Sequence, residues 1–177
     1  MQRLSVEELL AQYAAGKRDF REVDLSGAYL FEANLSQADF SNSDLTNCHL
    51  PYANLSQTNF QGAALQNAEL GDSQLYQANL SLANLQGVNL SRTNLRFANL
   101  SSSNLSGANF QGADLCSAKL SSSNLKNANL TRANLEETNL VNAQLQGANF
   151  FRAQQVNFLG AQLDHTTTLP NGHRQES

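Results

Sequence analysis

Several residue types are scarce or missing in this chain of 177 residues. It has no tryptophan or isoleucine, two prolines and two cysteines, and only 15% of its residues are charged. Two cysteines are too few for a disulfide scaffold. No apolar run approaches the ~20 residues that a membrane-spanning helix needs, and the N-terminal residues lack the apolar stretch of a signal peptide. We therefore expect a cytoplasmic protein with no membrane partner.

The charge and the apolar content exclude two further classes. The formal net charge is −4, so direct binding to nucleic acid by bulk electrostatics is not expected. Hydrophobic residues make up 41% of the chain, which is too high a share for a disordered protein. The apolar residues are dominated by 29 leucines, whereas an ordinary core mixes leucine with isoleucine and valine. The composition therefore indicates an ordered but unusual fold.

A five-residue repeat organises most of the sequence. Every position whose number is a multiple of five, from Phe20 to Phe150, is Leu or Phe, which makes 27 consecutive units. The residue two places earlier is Ala in 16 units and Ser, Thr, Val or Cys in ten. The residue one place earlier is Asn or Asp in 20 units. Residues 33–37, Ala-Asn-Leu-Ser-Gln, form a typical unit.

A period of five fits neither regular secondary structure. On an α-helix the leucines would spread around the whole cylinder, and on a flat strand they would alternate between the two faces. To bury every central leucine, the chain must turn once in each unit. Asn and Asp suit such turns because their side chains bond nearby backbone groups. The repeat therefore predicts a solenoid, in which each coil buries its apolar residues by stacking on the next.

The 27 unbroken units resemble those of pentapeptide-repeat proteins over about residues 18–165. The resemblance implies an all-β solenoid, the right-handed quadrilateral β-helix, with four units in each coil. The chain would then form about 7 coils, with a height of roughly 32 Å at the usual β-ladder spacing. Phe20, Phe40 and Phe60 are separated by four units each. They are expected to stack in one column.

A short helix is predicted to cap the N-terminal end of the solenoid, within residues 1–17. Ser5 and Glu8 form a capping-box pattern at the start of a helix expected over residues 5–15. The end coil of a solenoid exposes its core, so a lid is needed there. The apolar side of this lid would be formed by Leu9, Leu10 and Tyr13.

At the other end the repeat frame slips near residues 153–155, where Gln155 occupies a central position. Two units in a shifted register follow, at 156–160 and 161–165. We interpret them as an irregular last coil that closes the base. The family resemblance implies an alternative, a homodimer through this C-terminal coil. Residues 166–177 are predicted to be a polar tail that frays.

No catalytic, cofactor-binding or metal-binding motif is present in the sequence, so we expect no enzyme, no cofactor and no metal. His49 is expected to bond Glu69 on the surface. Cys48 occupies a small inward position and should be buried, whereas Cys116 follows a central leucine and should face outward. The two cysteines would lie roughly 16 Å apart along the axis, too far for a disulfide.

Charge and aromatic residues give the candidate interaction patches. The segment from Asp19 to Asp72 has a net charge of −7, and that from Ser73 to Gln155 has a net charge of +3. The plain interpretation is a solvated surface with a few ion pairs, such as Arg92 with Asp72. The alternative is a pair of docking patches of opposite sign, or head-to-tail association. The candidates are acidic (Asp19, Asp24, Asp39, Asp44), basic (Arg92, Arg132, Arg152) and aromatic (Tyr76 and Phe97, in an outward set with Tyr29, Phe31 and Tyr52).

These features predict a non-catalytic structural or protein-interaction scaffold with an unknown protein partner. The resemblance implies an alternative, because some pentapeptide-repeat proteins mimic DNA and so bind and modulate DNA gyrase. Such mimics carry strong negative charge along a rod of DNA-like width. In this chain ten of the 15 acids lie in the first half, and no unit between residues 20 and 150 is interrupted by a loop. The scaffold is therefore the first hypothesis and the DNA mimic the second.

Overall fold

A tight turn ends every five-residue unit. The computed structural model describes residues 1–176. From residue 22 to residue 152, the position two after each central residue has a positive φ, at six glycines and 21 other residues. The amide of the next residue donates to the central carbonyl, as from Ala28 to Leu25 at 2.9 Å. A positive φ at the third residue is typical of a type II β-turn. Four such turns complete one coil.

Successive coils pair in parallel, each unit with the unit four places later in the repeat. Bridges join Asp19 to Asp39 and continue coil by coil until Asn134 pairs with Gln154. The predicted right-handed quadrilateral β-helix is confirmed. We number its four faces by their central residues: face 1 runs from Phe20 to Leu140, face 2 from Leu25 to Leu145, face 3 from Leu30 to Phe150, and face 4 from Leu35 to Leu135.

The core is a stack of central side chains, each at most 2% exposed. The predicted column of Phe20, Phe40 and Phe60 is confirmed, with ring centroids 5.5 and 5.7 Å apart. The small residues two places before the centres fill the remaining space. Where such a residue is polar, its hydroxyl bonds a nearby backbone carbonyl, as from Thr58 to Leu35 of the preceding coil at 3.1 Å. Such bonds satisfy buried hydroxyls, as a packed core requires.

The N-terminal cap is helix α1, Val6–Ala14. Ser5 accepts a hydrogen bond from the amide of Glu8 at 3.1 Å, and the Glu8 carboxylate accepts one from the amide of Ser5 at 2.9 Å. This capping box satisfies donors that the first helical turn leaves free. Within residues 1–176 no helix is both long enough and apolar enough to span a bilayer.

One side of α1 covers the first coil. Leu9 is fully buried, and the Tyr13 hydroxyl donates to the Ser36 carbonyl at 2.9 Å. The expectation that Leu10 joins this side is wrong, because its side chain is 39% exposed. Residues four apart share a helix face, whereas the residue next to Leu9 is rotated away from the core.

A short strand precedes the cap and was not predicted from the sequence. Strand β1, Gln2–Arg3, pairs in parallel with strand β2, Val23–Asp24. The next residue, Leu4, is 8% exposed and donates its amide to the Asp24 carbonyl at 3.1 Å. The first residues thus begin an extra, partial coil above face 2, and this coil covers the edge of the ladder.

The predicted slip in the repeat frame shortens the last coil. Gln144 pairs with Gln162, and Asn149 pairs with Thr168. Both pairs are closer in the sequence than the four full units that separate partners in the preceding coils. The ladder therefore continues through the slip, because the backbone groups of the coil above still require partners.

Residues 166–176 complete this coil, so the expectation that the segment 166–177 frays is wrong for them, and Ser177 lies outside the described residues. Thr167 is fully buried, and its hydroxyl donates to a carbonyl of the coil before at 2.9 Å. The chain then turns back, and Arg174 pairs antiparallel with Thr168. Above this segment, Phe158 packs edge-on against Phe150 at 5.0 Å. The base is thus closed by the chain's own C-terminal residues.

Candidate interaction surfaces

The Asn and Asp residues before each centre serve the turns. The Asn79 side-chain oxygen accepts from the amide of Ser81 at 3.2 Å, and its side-chain amide donates to Asn59 in the coil before at 3.1 Å. The same amide-to-side-chain bond recurs along the tower, for example from Ser41 to Asp39 at 2.9 Å. These residues cap turns and link coils, so their abundance has a structural cause.

The four acidic candidates lie where the sequence predicts them. Asp19 and Asp39 are paired neighbours on face 1, and Asp24 and Asp44 are paired neighbours on face 2. Asp19 forms two bonds to the Arg21 guanidinium, at 2.7 and 2.9 Å. These bonds lower the pKa of Asp19 to about 2. The first acid of the column is thus held charged and paired.

The other acids are also occupied by local bonds. Hydrogen bonds from Ser26 and Arg3 lower the pKa of Asp24, and the Arg3 guanidinium lies 3.0 Å from that carboxylate. Asp39 accepts from Asn59 at 3.0 Å in addition to its turn bond. Asp44 accepts from the amide of Thr46 at 2.9 Å. This acidic surface is part of the turn structure and carries two arginines of its own.

The three basic candidates lie at one corner of the tower, the corner that ends face 3. Arg92 bonds Asp72 in the coil before through two contacts, at 2.8 and 2.6 Å, as predicted. Arg132 lies two coils after Arg92, and Arg152 lies one coil further. Within residues 1–176, no carboxylate lies within ion-pair distance of either of these two. The Arg152 guanidinium lies 5.0 Å from the Phe151 ring centroid.

The aromatic candidates on face 4 contact each other. Tyr76 and Phe97 meet edge to face, with centroids 5.8 Å apart, and Phe97 is 46% exposed. The spacing of the units also places Arg96 one coil after Tyr76, where a cation–π pair would be expected. The Arg96 guanidinium instead lies 3.3 Å from the carboxylate of Asp114, a turn residue in the neighbouring column.

A more exposed aromatic cluster lies at the N-terminal end of face 3. Tyr29 stacks on His49 with centroids 4.3 Å apart, and Phe31 meets Tyr52 edge to face at 5.7 Å. Tyr29, Phe31 and Tyr52 are 71%, 59% and 56% exposed. The expected bond between His49 and Glu69 is replaced by this stacking. The sequence does contain a sign of this stacking, because Tyr29 and His49 are separated by four units and so lie in adjacent coils of one column.

Both cysteines are free and buried. Cys48 is fully buried as expected, and its thiol donates to the Leu25 carbonyl at 2.8 Å. Burial raises the pKa of Cys48 to about 11. Cys116 was expected to face outward, but it is only 6% exposed, because Glu136 in the next coil lies over it at 3.9 Å.

The tower offers little to a small ligand in the part of the chain that the structure describes. No group of three or more His, Cys, Asp or Glu side chains is arranged to hold a metal ion within residues 1–176. An open concavity of about 530 Å³ lies at the base, between Leu169 and Glu176. Ligand pockets in proteins usually enclose most of the ligand, which an open hollow cannot do.

Comparison with known families identifies the repeat. A model described as "Pentapeptide repeat region" matches residues 18–95. A second model, "Pentapeptide repeats", matches residues 78–115, 117–152 and 128–167. Together they cover residues 18–167 apart from Cys116. A comparison with curated protein sequences finds no match.

Solved structures of pentapeptide repeat proteins are similar to this chain. Trypsin-treated QnrB1, a plasmid-mediated fluoroquinolone resistance protein, is 16% identical with a TM-score of 0.68, covering 84% of this chain and 78% of QnrB1. This likeness shows the fold. HetL, from the cyanobacterium Nostoc sp. strain PCC 7120 and involved in heterocyst differentiation regulation, is 27% identical with a TM-score of 0.48. The match covers 97% of this chain and 100% of HetL.

Proposed function

The chain belongs to the pentapeptide repeat family, and on that premise we propose that it is a non-catalytic scaffold that binds a protein partner on faces 3 and 4. One observation carries the proposal. Every outward aromatic ring of the regular coils lies on one of these two faces, and faces 1 and 2 carry none. Exposed aromatic rings are the side chains that most often anchor protein interfaces.

The aromatic rings on faces 3 and 4 would lose little conformational entropy on binding a partner, because they are already ordered. Tyr76 and Phe97 rest on each other and on a backbone bonded to the coils above and below. A binding surface that is already ordered loses little conformational freedom when a partner docks. We therefore place the centre of the binding surface at the Tyr76–Phe97 pair, with the face 3 cluster around the corner.

A photo-crosslinking experiment tests this proposal. A crosslinking phenylalanine analogue is placed at Phe97, and in a matched control at Leu82, which is 61% exposed on the corner of face 1. We expect a specific protein adduct in cells from position 97 and not from position 82. The adduct should be lost when Tyr76 is changed to serine. Identical adducts from both positions would contradict the proposal.

The DNA-mimic alternative has less support, because the acids on faces 1 and 2 are held in local bonds. It has a sharp test of its own. Substitution of Asp39→Asn and Asp44→Asn removes two charges and keeps the side-chain oxygen that each turn needs. If the tower acts on DNA gyrase, the purified protein should change the rate of supercoiling, and this double variant should weaken the effect. We expect no effect from either protein.

The remaining expectations keep the status of proposals. We propose a cytoplasmic location, which two free thiols would suit, since reducing compartments keep cysteines unpaired. Cell fractionation tests it. A homodimer through the C-terminal coil would use Leu159, which is 77% exposed at the base. Against it, the chain's own terminal hairpin already pairs with Thr168 and covers that ladder edge.

A further inference from the structure

Face 3 is polarised along its length. It and the corner that ends it carry six charged side chains, three acids in the first half and three bases in the second, so the face as a whole is neutral. The corner column alone contains five of these six charges, in the same order of signs. The set consists of Glu32, Glu69 and Asp72, followed by Arg92, Arg132 and Arg152.

The two ends of face 3 also carry aromatic rings. Phe31 and Tyr52 lie at the acidic end, and Phe151, 40% exposed, lies at the basic end. At the coils of Leu70 and Leu90 the face is flat, because Gly71 and Ser91 are buried in the surface and have little or no side chain. A flat centre with an aromatic and charged group at each end suits a second flat surface of the same kind.

We propose that face 3 binds face 3 of a second copy of this chain, with the two towers antiparallel; this pairing covers the face 3 rings and leaves the Tyr76–Phe97 pair on face 4 to the partner proposed above. Among the seven regular coils of face 3, the coil centred on Leu90 has three coils on each side, those of Leu30, Leu50 and Leu70 and those of Phe110, Leu130 and Phe150, and the terminal segment at Thr168 continues the face beyond Phe150. A two-fold axis in the plane of the interface, level with that coil and perpendicular to the tower, reverses the order of the coils. The same axis sets each column of side chains on face 3 opposite the equivalent column of the second copy. Such an interface is isologous and closes after two copies.

The symmetry decides which groups meet. Glu32 comes opposite Arg152 of the second copy, and Phe31 comes opposite Phe151 of the second copy. Tyr52 comes opposite Arg132 of the second copy, a pair of residue types that attract through a cation–π contact. In the middle Arg92 faces its own symmetry mate, but each Arg92 is already paired with Asp72 at 2.6 Å. No column sets two unpaired charges of like sign against each other.

Other arrangements of two face 3 surfaces are less favourable. A parallel pair would set the acidic end with Glu32 against the same acidic end, and the basic end with Arg152 against the same basic end. Like charges that meet at an interface repel. A shift by one coil in one direction would leave Phe151 and Arg152 beyond the partner's face 3, and a shift in the other direction would set them opposite Pro51 and Tyr52 of the second copy. The antiparallel arrangement with full overlap is the one in which both charged ends and both aromatic ends are matched.

The size of the face sets the expected strength. Seven stacked coils make face 3 roughly 30 Å tall, and the extended segment that each coil contributes makes it roughly 10 Å wide. The area of this face is well below the ~800 Å² per partner of a standard stable interface. We therefore expect weak association, with a dissociation constant on the order of 100 µM at low salt. Exposed ion pairs at the two ends of the interface direct this association. High salt should therefore raise the dissociation constant of the dimer by at least ~10-fold.

Charge reversal with restoration tests the pairing. The full chain is studied by sedimentation velocity from micromolar to millimolar concentration, at low and at high salt. We expect a low-salt dimer that is lost in Glu32→Arg and in Arg152→Glu, and restored in the chain that carries both changes. Arginine already occupies this corner at positive φ at Arg132 and Arg152, so the Glu32→Arg variant should fold. Circular dichroism checks this.

Two matched variants separate this interface from others. Lys126→Glu reverses a base on face 2 in the same half of the tower and should leave the dimer unchanged. Leu159→Asp alters the base and should also leave it unchanged. The proposal is overturned by a monomer at every concentration at low salt, by a dimer indifferent to the single charge reversals, by failure of the double variant to restore it, or by its loss in Leu159→Asp.

Discussion

The corners of the tower hold most of their residues in a strained backbone conformation, and glycine should relieve that strain. Ser102 has a φ of 58° and Gly107 a φ of 67°, at equivalent positions of consecutive units. The left-handed region disfavours residues with a Cβ atom, whereas glycine adopts it freely. We therefore predict that Ser102→Gly stabilises the protein and that Gly107→Ala destabilises it.

The magnitudes follow from two opposing terms. A residue with a Cβ in the left-handed region costs roughly 1–2 kcal/mol, and glycine costs about 0.5–1 kcal/mol through the freedom it gives the unfolded chain. The difference between the central values gives a net gain for Ser102→Gly of about 0.75 kcal/mol. A Cβ added at Gly107 meets no atom within 4 Å, so no clash contributes there. Gly107→Ala should lose about the same amount.

Equilibrium unfolding in guanidinium chloride measures both changes, as shifts of the midpoint at constant m-value. The control is Ser106→Gly, in the same turn as Gly107 but outside the set of residues with positive φ. It relieves no strain and should lose about 0.5–1 kcal/mol. If Ser102→Gly destabilises the protein as much as Ser106→Gly does, the corners are not strained and the reasoning is refuted.

Three further predictions concern the core, a buried thiol and the acid range. Leu85→Ala, at a fully buried central position, should lower the free energy of unfolding by about 2–5 kcal/mol, and Leu82→Ala, at a corner, by less than about 0.5 kcal/mol, both by denaturant titration. Cys48 should resist alkylation at pH 8 until the chain is unfolded, because its thiol is buried and its pKa is raised to about 11. The folded-state pKa of Asp19 is lowered by Arg21 from 3.8 to about 2, so the stability it contributes is complete above pH 4 and is lost as pH falls toward 2. The melting temperature of Arg21→Gln should therefore fall less over that range than that of the unchanged protein.

The regular part of the fold could be predicted because one spacing determines it. A leucine in the same place of every unit can be buried throughout only if the chain turns in each unit, and the small residue before it fixes which side faces inward. The ends obey no such spacing. Strand β1 covers only Gln2–Arg3 and carries no repeat. Residues 167–171 form one more unit at the base, with Thr167 inward and Leu169 central. This unit is difficult to recognise in the sequence, because the extra residue Thr166 shifts it out of the register of the unit at 161–165.

Surface contacts were predicted only between residues of the same column in adjacent coils. Contacts that cross to another column, and side chains that cover a neighbour, were therefore missed. The spacing of four units per coil places Arg96 between Tyr76 and Cys116. It does not say that the long arginine side chain crosses to the next column and bonds Asp114. It also places Cys116 on the outside without showing that Glu136 covers it. Pairs of fixed rings such as Tyr29 and His49 follow the columns, whereas long charged side chains have several partners within reach.

Backbone strain also distinguishes two kinds of surface residue. An aspartate before a centre replaces an asparagine without loss to the turn, because both offer the same oxygen, so the acids on faces 1 and 2 need no further cause. Tyr52 and Phe97 differ, since both lie at corners with a φ of 59° and remain about half exposed. An aromatic residue is rarely held in the left-handed region. Because these two rings are about half exposed, the area that they bury offsets little of the free-energy cost of that backbone conformation. Within the chain these two rings contact Phe31 and Tyr76, at 5.7 and 5.8 Å between ring centroids. Partner binding at such corners is what we propose, and the crosslinking experiment at Phe97 tests it.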